Sequence, residues 1–101
     1  MNPKKIKTEL FKRIDKKDSI KVEKVERYLN LINLFYKLDE SIEEYGVMMT
    51  TINGSQEFTK PNPAISEKNK INSSLIALGK DLGLDDPIKS EANNYNKSDL
   101  I

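Results

Sequence analysis

The sequence contains no cysteine, no histidine and no tryptophan. The lack of cysteine excludes disulfide bonds and thiolate nucleophiles, and the lack of histidine excludes imidazole bases and nearly all zinc sites. No glycine-rich phosphate-binding loop occurs either. We therefore expect a protein that is not an enzyme, with no catalytic residues and no cofactor.

Long apolar runs are also missing. None approaches the roughly 20 residues that a helix needs to span a bilayer, and the N-terminal stretch does not resemble a signal peptide. A cytosolic protein without a membrane partner is the expectation. Because the 101 residues are 37% hydrophobic and 33% charged, one domain with a modest core is expected, and association with further copies is a natural source of stability.

Carboxylate pairs are the remaining source of metal ligands. Asp39 and Glu43 are spaced i, i+4 on one helical face, and Asp85 and Asp86 are adjacent. No third ligand accompanies either pair, and acidic residues near a helix end are usually solvated. The sequence therefore predicts no metal site.

The stretch Lys21 to Tyr45 is predicted to form a long central helix, because its apolar residues recur at spacings of three and four. Together they make a belt wider than the roughly 100° stripe of an ordinary surface helix. Either the rest of the chain or other subunits should cover this belt. One row comprises Val22, Val25, Leu29, Ile32 and Tyr36; the candidate oligomerisation residues are Leu31, Leu34, Phe35, Leu38 and Ile42.

An amphipathic helix is predicted before it, from Pro3 to Lys16. Asn2 can cap the free backbone N–H groups, and proline at the first helical position loses no hydrogen bond. The apolar edge consists of Ile6, Leu10 and Ile14, joined by Phe11, and the lysines Lys5, Lys12 and Lys16 fall on another face. Asp18 or Ser19 is expected to cap the long helix that follows.

Charge is segregated along the chain. Residues 1–27 hold ten Lys or Arg against five Asp or Glu, whereas residues 28–101 hold seven against eleven. Such segregation often marks an anionic partner, and the alternative is a merely solvated basic face. The candidate DNA-binding residues are Lys5, Lys12, Arg13, Lys16, Lys17 and Arg27.

A β-hairpin is predicted at residues 47–60, after Gly46 ends the long helix in the left-handed conformation. Asn53-Gly54 is a strong signal for a type I′ turn, which would place Met49 opposite Phe58. So short a hairpin is marginal in water, so its support should come from the long helix or from a neighbouring subunit.

A third helix is predicted from Ala64 or Ser66 to Leu82, with Gly83 as its terminator and Leu84 in the accompanying apolar contact. Gly79 lies inside it and could allow a close helix crossing. Residues 88–101 are polar and aperiodic and are expected to form a flexible tail. The predicted fold is therefore mainly α with one β-hairpin, in a single domain of residues 1–87.

The order of these elements resembles a family of phage terminase small subunits. The long helix is followed by EEYG, the hairpin, KPNP and a helix that ends in LGKDLGL, over roughly Arg27 to Pro87. The most specific points are Gly46, Pro61-Asn62-Pro63 and Gly83-Leu84. The resemblance implies a non-catalytic packaging factor in the host cytoplasm that binds double-stranded viral DNA, forms a ring-like homo-oligomer and recruits the large terminase subunit.

A different class of function is also compatible with the residues. In this alternative, the chain is a small protein-interaction adaptor or regulator, the basic helix is only solvated, and the apolar belt docks on an unrelated protein. Duplex DNA distinguishes the two, because binding through phosphates weakens steeply as the salt concentration rises, whereas the adaptor binds no DNA.

Overall fold

The computed structural model describes residues 2–86, which form three helices and one hairpin. The helices are α1 (Pro3–Lys12), α2 (Ser19–Tyr45) and α3 (Pro63–Asp81), and the strands β1 (Met48–Asn53) and β2 (Gln56–Pro61) lie between α2 and α3. The predicted mainly α fold with one β-hairpin is confirmed. The flexible tail predicted at residues 88–101 lies outside the described residues.

The described chain divides into two compact units. The first unit contains residues 2–29 and 77–86, and the second contains residues 30–76. Both α2 and α3 contribute residues to each unit. The grouping of residues 1–87 as one domain stays a prediction.

Helix α1 begins as predicted and ends earlier than predicted. The Asn2 Oδ1 accepts a hydrogen bond from the Lys5 backbone N–H at 3.2 Å, with Pro3 at the first helical position. The helix ends at Lys12, because Asp15 Oδ1 accepts from the Lys17 N–H at 3.0 Å. Such a side chain competes with the carbonyls that would continue the helix. Lys16 therefore lies in the connection to α2 and does not share a helical face with Lys5 and Lys12.

Helix α2 has a clear cap at each end. Asp18 Oδ1 accepts hydrogen bonds from the backbone N–H groups of Ile20 and Lys21, so Asp18 is the N-cap. The helix ends at Tyr45, as predicted, and Gly46 follows with φ +82°. The Gly46 N–H donates to the Ile42 carbonyl at 2.8 Å, which is the bond of a left-handed C-terminal cap.

The core lies in the first unit. Leu10 of α1, Val25 of α2 and Leu82 after α3 are buried against one another. The side chains packed around them are Ile6, Phe11, Ile14, Tyr28, Leu29, Leu78 and Leu84. The predicted apolar edge of α1 is confirmed, because each of its members belongs to this cluster. Burial also raises the pKa of the Tyr28 hydroxyl.

The hairpin turn differs from the prediction by one residue. Asn53 pairs with Gln56, so the two turn residues are Gly54 and Ser55. Gly54 has φ +66°, and no non-glycine residue of the described chain has a positive φ. Glycine at the first central position with positive φ, followed by a residue with negative φ, is a type II′ turn. The predicted type I′ turn at Asn53-Gly54 is wrong.

The shift of the turn changes every cross-strand pair. Phe58 lies opposite Thr51 and Met49 lies opposite Lys60, so the predicted pair of Met49 with Phe58 is wrong. The predicted register is wrong because the strands lack the clear alternation of apolar and polar residues that would fix it.

Helix α3 ends in the predicted glycine cap. The Leu84 N–H donates to the Gly79 carbonyl at 2.9 Å, and the Gly83 N–H donates to the Lys80 carbonyl at 3.0 Å. With Gly83 at φ +75°, this is the Schellman motif. Leu84 joins the core cluster and thereby provides the predicted apolar contact.

Candidate nucleic-acid interface and assembly surface

The N-terminal segment carries unneutralised positive charge. Residues 2–17 contain six exposed lysines, and none of them forms a salt bridge with a carboxylate of the described chain. They are Lys4, Lys5, Lys7, Lys12, Lys16 and Lys17. Because these ammonium groups have no carboxylate partner there, their charge is available to an external anion.

Two of the lysines lie together on α1. Lys5 and Lys12 are seven residues apart, which places them on one helical face two turns apart. They border a shallow, open depression on α1 that Thr8 also lines. Its single acidic residue, Glu9, is bound by Arg13. The Thr8 hydroxyl donates to the Lys4 carbonyl at 2.9 Å, so the depression presents ammonium donors without a free carboxylate.

The two candidate arginines are engaged within the chain. Arg13 is half-buried; its Nε lies 3.1 Å from Glu9 Oε2, and one terminal nitrogen lies 3.5 Å from the Leu84 carbonyl oxygen. Arg27 is exposed, and its guanidinium makes two hydrogen bonds to Glu23, of 2.6 and 3.2 Å. Of the six candidate DNA contacts, Lys5, Lys12, Lys16 and Lys17 therefore have no carboxylate partner within residues 2–86.

Two other lysines of the first unit, Lys21 and Lys24, bind Asp81 at the end of α3. Lys24 Nζ lies 2.5 Å from Asp81 Oδ2, and Lys21 Nζ donates to the Asp81 carbonyl at 3.4 Å. The hydrogen bond and the charge of Lys24 hold the pKa of the Asp81 carboxyl below its usual value, with a smaller contribution from Lys21. These lysines have an intrachain role that the charge count alone did not reveal.

The candidate oligomerisation residues lie in the second unit, on α2. Leu34 is exposed, and Leu31, Phe35, Leu38 and Ile42 are half-buried. Lys68 of α3 lies over the Phe35 ring, 4.1 Å from its centre, and its ammonium also binds Asp39. Phe35 therefore has a partner within its own unit, whereas Leu34 faces solvent.

The second unit exposes far more apolar surface than it buries. Within residues 30–76, Ala64 is the only buried apolar side chain. Eight large apolar side chains of this unit are exposed, namely Leu34, Tyr36, Tyr45, Val47, Met48, Ile52, Phe58 and Ile76. So many exposed apolar side chains in a unit of 47 residues mark an interaction surface.

Asn62 organises the second unit, and the sequence reasoning missed it. It is the one buried polar residue of the described chain, with 2% of its surface exposed. Its Nδ2 donates to the carbonyls of Gly46 at 3.0 Å and Ser41 at 3.3 Å, and its Oδ1 accepts from the Ala64 N–H at 3.0 Å. Its own backbone N–H donates to the Val47 carbonyl at 2.8 Å.

One side chain thus joins the end of α2 to the start of α3. The sequence does contain a signal for the capping of α3 by Asn62, because asparagine directly before a proline is a typical helix N-cap. The contacts to Ser41 and Gly46 had no local signal, since they join residues 21 and 16 positions apart.

Two kinds of feature are absent from residues 2–86. No helix there is long and apolar enough to cross a membrane. No three acidic side chains in that range come together in a group that could hold a metal ion. Asp39, one of the candidate metal ligands, instead binds Lys68.

Comparison with known proteins identifies the family. A family described as phage terminase, small subunit, matches residues 5–98, which is most of the chain. No curated protein and no solved structure matches this chain. The family match covers the capped α2, the hairpin, the Asn62 contacts and the glycine cap of α3. The chain therefore belongs to the phage terminase small subunits.

Proposed function

We propose that this chain is a non-catalytic terminase subunit that binds double-stranded viral DNA in the host cytoplasm, forms a ring-like homo-oligomer and recruits the large terminase subunit. Family membership supports the packaging role and the large subunit as a partner. The observation that carries the DNA-binding part is the set of six exposed lysines in residues 2–17 that have no carboxylate partner in the described part of the chain.

The chemistry of these lysines favours phosphates over bases. An ammonium group is a compact point charge that contacts phosphate oxygens without reading the base edges. The two arginines that could pair with guanine bidentately are held by Glu9 and Glu23. Binding of DNA with weak sequence preference is therefore expected from each copy, and a ring would add the contacts of many copies.

The second unit supports assembly. Leu34 on α2 and the exposed side chains of the hairpin have no cover within their own unit. Apolar surface of this extent is stabilised when other copies bury it, at about 25 cal/mol per Å². This surface and the basic segment of residues 2–17 belong to different units of the chain. One copy can therefore use the first for assembly and the second for DNA binding.

A triple charge reversal tests DNA binding. We would compare the parent with Lys5→Glu/Lys12→Glu/Lys16→Glu by titrating duplex DNA at low and moderate salt. The control is Lys37→Glu/Lys70→Glu/Lys80→Glu, which changes the net charge equally at three exposed lysines outside residues 2–17 and outside the hairpin. Lys70 Nζ lies 3.4 Å from Glu67 Oε2, and Lys37 and Lys80 form no salt bridge with a described carboxylate. The first variant should lose about one unit of log–log salt slope for each lost phosphate contact.

Three outcomes are informative. Loss of affinity and slope in the first variant alone supports the N-terminal interface. Equal losses in both variants would show that only net charge matters, which contradicts a defined interface. If the parent binds no DNA at either salt concentration, the adaptor function is favoured.

A further inference from the structure

The hairpin has apolar side chains on both of its faces. In an antiparallel pair, residues directly opposite each other point to the same face, and successive residues alternate. The register therefore places Phe58 with Thr51 on one face, here called the Phe58 face. Ile52 and Met48 lie on the opposite face, here called the Ile52 face.

The described residues leave both faces largely open to solvent. Phe58 is 50% exposed, Met48 is 52% exposed and Ile52 is 71% exposed. Met49 is half-buried, and every other residue of β1 and β2 is exposed. The long helix of the same subunit is therefore not the support that so short a hairpin requires, and that support must come from outside residues 2–86.

We infer that the hairpin inserts between two neighbouring copies of this chain, with the Phe58 face against one copy and the Ile52 face against the other. This inference rests on the proposed homo-oligomer and names its contact element. A two-stranded hairpin needs its cover permanently, and further copies of the same chain are always present in matching amounts. DNA is a poor occupant, because Glu57 and Lys60 give the strands no net charge.

Two neighbours are needed because each face carries exposed apolar side chains among its polar ones. A two-fold dimer joins the same patch on both subunits, so it would cover the Phe58 face or the Ile52 face and leave the other in water. A closed ring with head-to-tail contacts gives each subunit two neighbours. The distribution of Phe58 and Ile52 over opposite faces fits this second arrangement.

Single cysteines can report on each face, since the natural chain has none. The variants are Ile52→Cys, Phe58→Cys and the control Ile20→Cys, whose position lies in the first unit and is 68% exposed. The rate of maleimide labelling is measured for each at concentrations where the chain is assembled and where light scattering shows it dissociated. Assembly should slow labelling at positions 52 and 58 by about tenfold or more, because the contact must open first, and should leave position 20 unchanged.

Each other result has a defined meaning. Labelling at positions 52 and 58 that is as fast in the assembly as at position 20 overturns the inference while the proposed oligomer stands. Protection of one face alone overturns the insertion between two copies. Protection that appears only after the large subunit is added assigns the hairpin to that partner and also overturns it.

Two further results concern the assembly itself. If the parent remains a monomer at every concentration, the proposed oligomer has failed, and the inference fails with it. If a cysteine variant at position 52 or 58 no longer assembles, its circular dichroism is compared with that of the dissociated parent. Matching spectra support the hairpin contact, whereas lost helicity at these exposed positions counts against it.

Discussion

Replacing Asn62 should destabilise the protein well beyond the effect of an ordinary surface change. Asn62→Ala removes the N-cap of α3, which costs about 1 kcal/mol. It also removes the donor for the Ser41 and Gly46 carbonyls, and each lost bond costs about 1 kcal/mol. The expected loss is about 3 kcal/mol, a large part of the roughly 5–15 kcal/mol that stabilises a protein of this size.

Asn62→Asp separates the two roles of the side chain. The carboxylate still accepts from the Ala64 N–H, so the cap is kept, but an oxygen replaces the Nδ2 donor and faces two carbonyl oxygens. Burial raises the pKa of a carboxyl at this position above its unfolded value of about 3.9. The variant should therefore be destabilised at pH 7 and regain stability relative to the parent as the pH falls toward 4, because the protonated group can donate one hydrogen bond.

Urea unfolding followed by circular dichroism measures both effects. The control is Asn72→Asp at an exposed position of α3, which should change the free energy of unfolding by no more than about 0.5 kcal/mol. The structural reasoning is refuted if Asn62→Asp unfolds like the parent at pH 7, or if its deficit grows instead of shrinking in acid.

Four further substitutions test the glycine cap of α3, the ion pair and the turn. Gly83→Ala should destabilise the protein by about 1–2 kcal/mol, because the Gly83 φ is +75°. Gly79→Ala should stabilise it by up to about 1 kcal/mol, because a Cβ at Gly79 meets ordinary contacts at 3.6 Å. Thermal melts that rank the two variants in the opposite order would contradict the glycine cap. Lys24→Ala should lower stability at neutral pH, and the deficit should shrink as the pH falls below the usual Asp81 value of 3.8, because the lowered folded pKa stabilises only the ionised form. Asn53→Thr should leave the assembly and the melting temperature nearly unchanged, as a strand residue of a type II′ turn allows; a large loss would restore the type I′ assignment.

Helix boundaries with strong local chemistry could be predicted from the sequence. Asn2 with Pro3, Gly46 and Gly83 each act through hydrogen bonds to residues within one or two turns, so local sequence is sufficient to identify them. The end of α1 could not be placed because Ile14 continues the apolar period beyond the helix. There the Asp15 side chain takes a backbone N–H that the helix would otherwise use.

The positive charge of the candidate DNA-binding segment could be predicted from the sequence, but the ion pairs of its arginines could not. The lysine excess marked the N-terminal segment correctly as exposed and basic, since long charged side chains are rarely buried. That Arg13 and Arg27 are bound to glutamates depends on side-chain conformations that a residue count does not contain. The contacts of Asn62 escaped prediction because they join residues distant in sequence, and the hairpin register escaped it because neither face is clearly apolar.

The spacing of the contacts along the chain also has a consequence for synthesis on the ribosome. The hydrogen bonds of Asn62 close loops of 16 and 21 residues, so the second unit can form as soon as its own stretch has emerged. The first unit joins residues 60 and 71 positions apart, through Lys21 with Asp81 and Arg13 with Leu84. The apolar edge of α1 can therefore pack only against α2 until the end of α3 has been made. Helix α1 is translated before α2 and α3, yet its core is complete only after both.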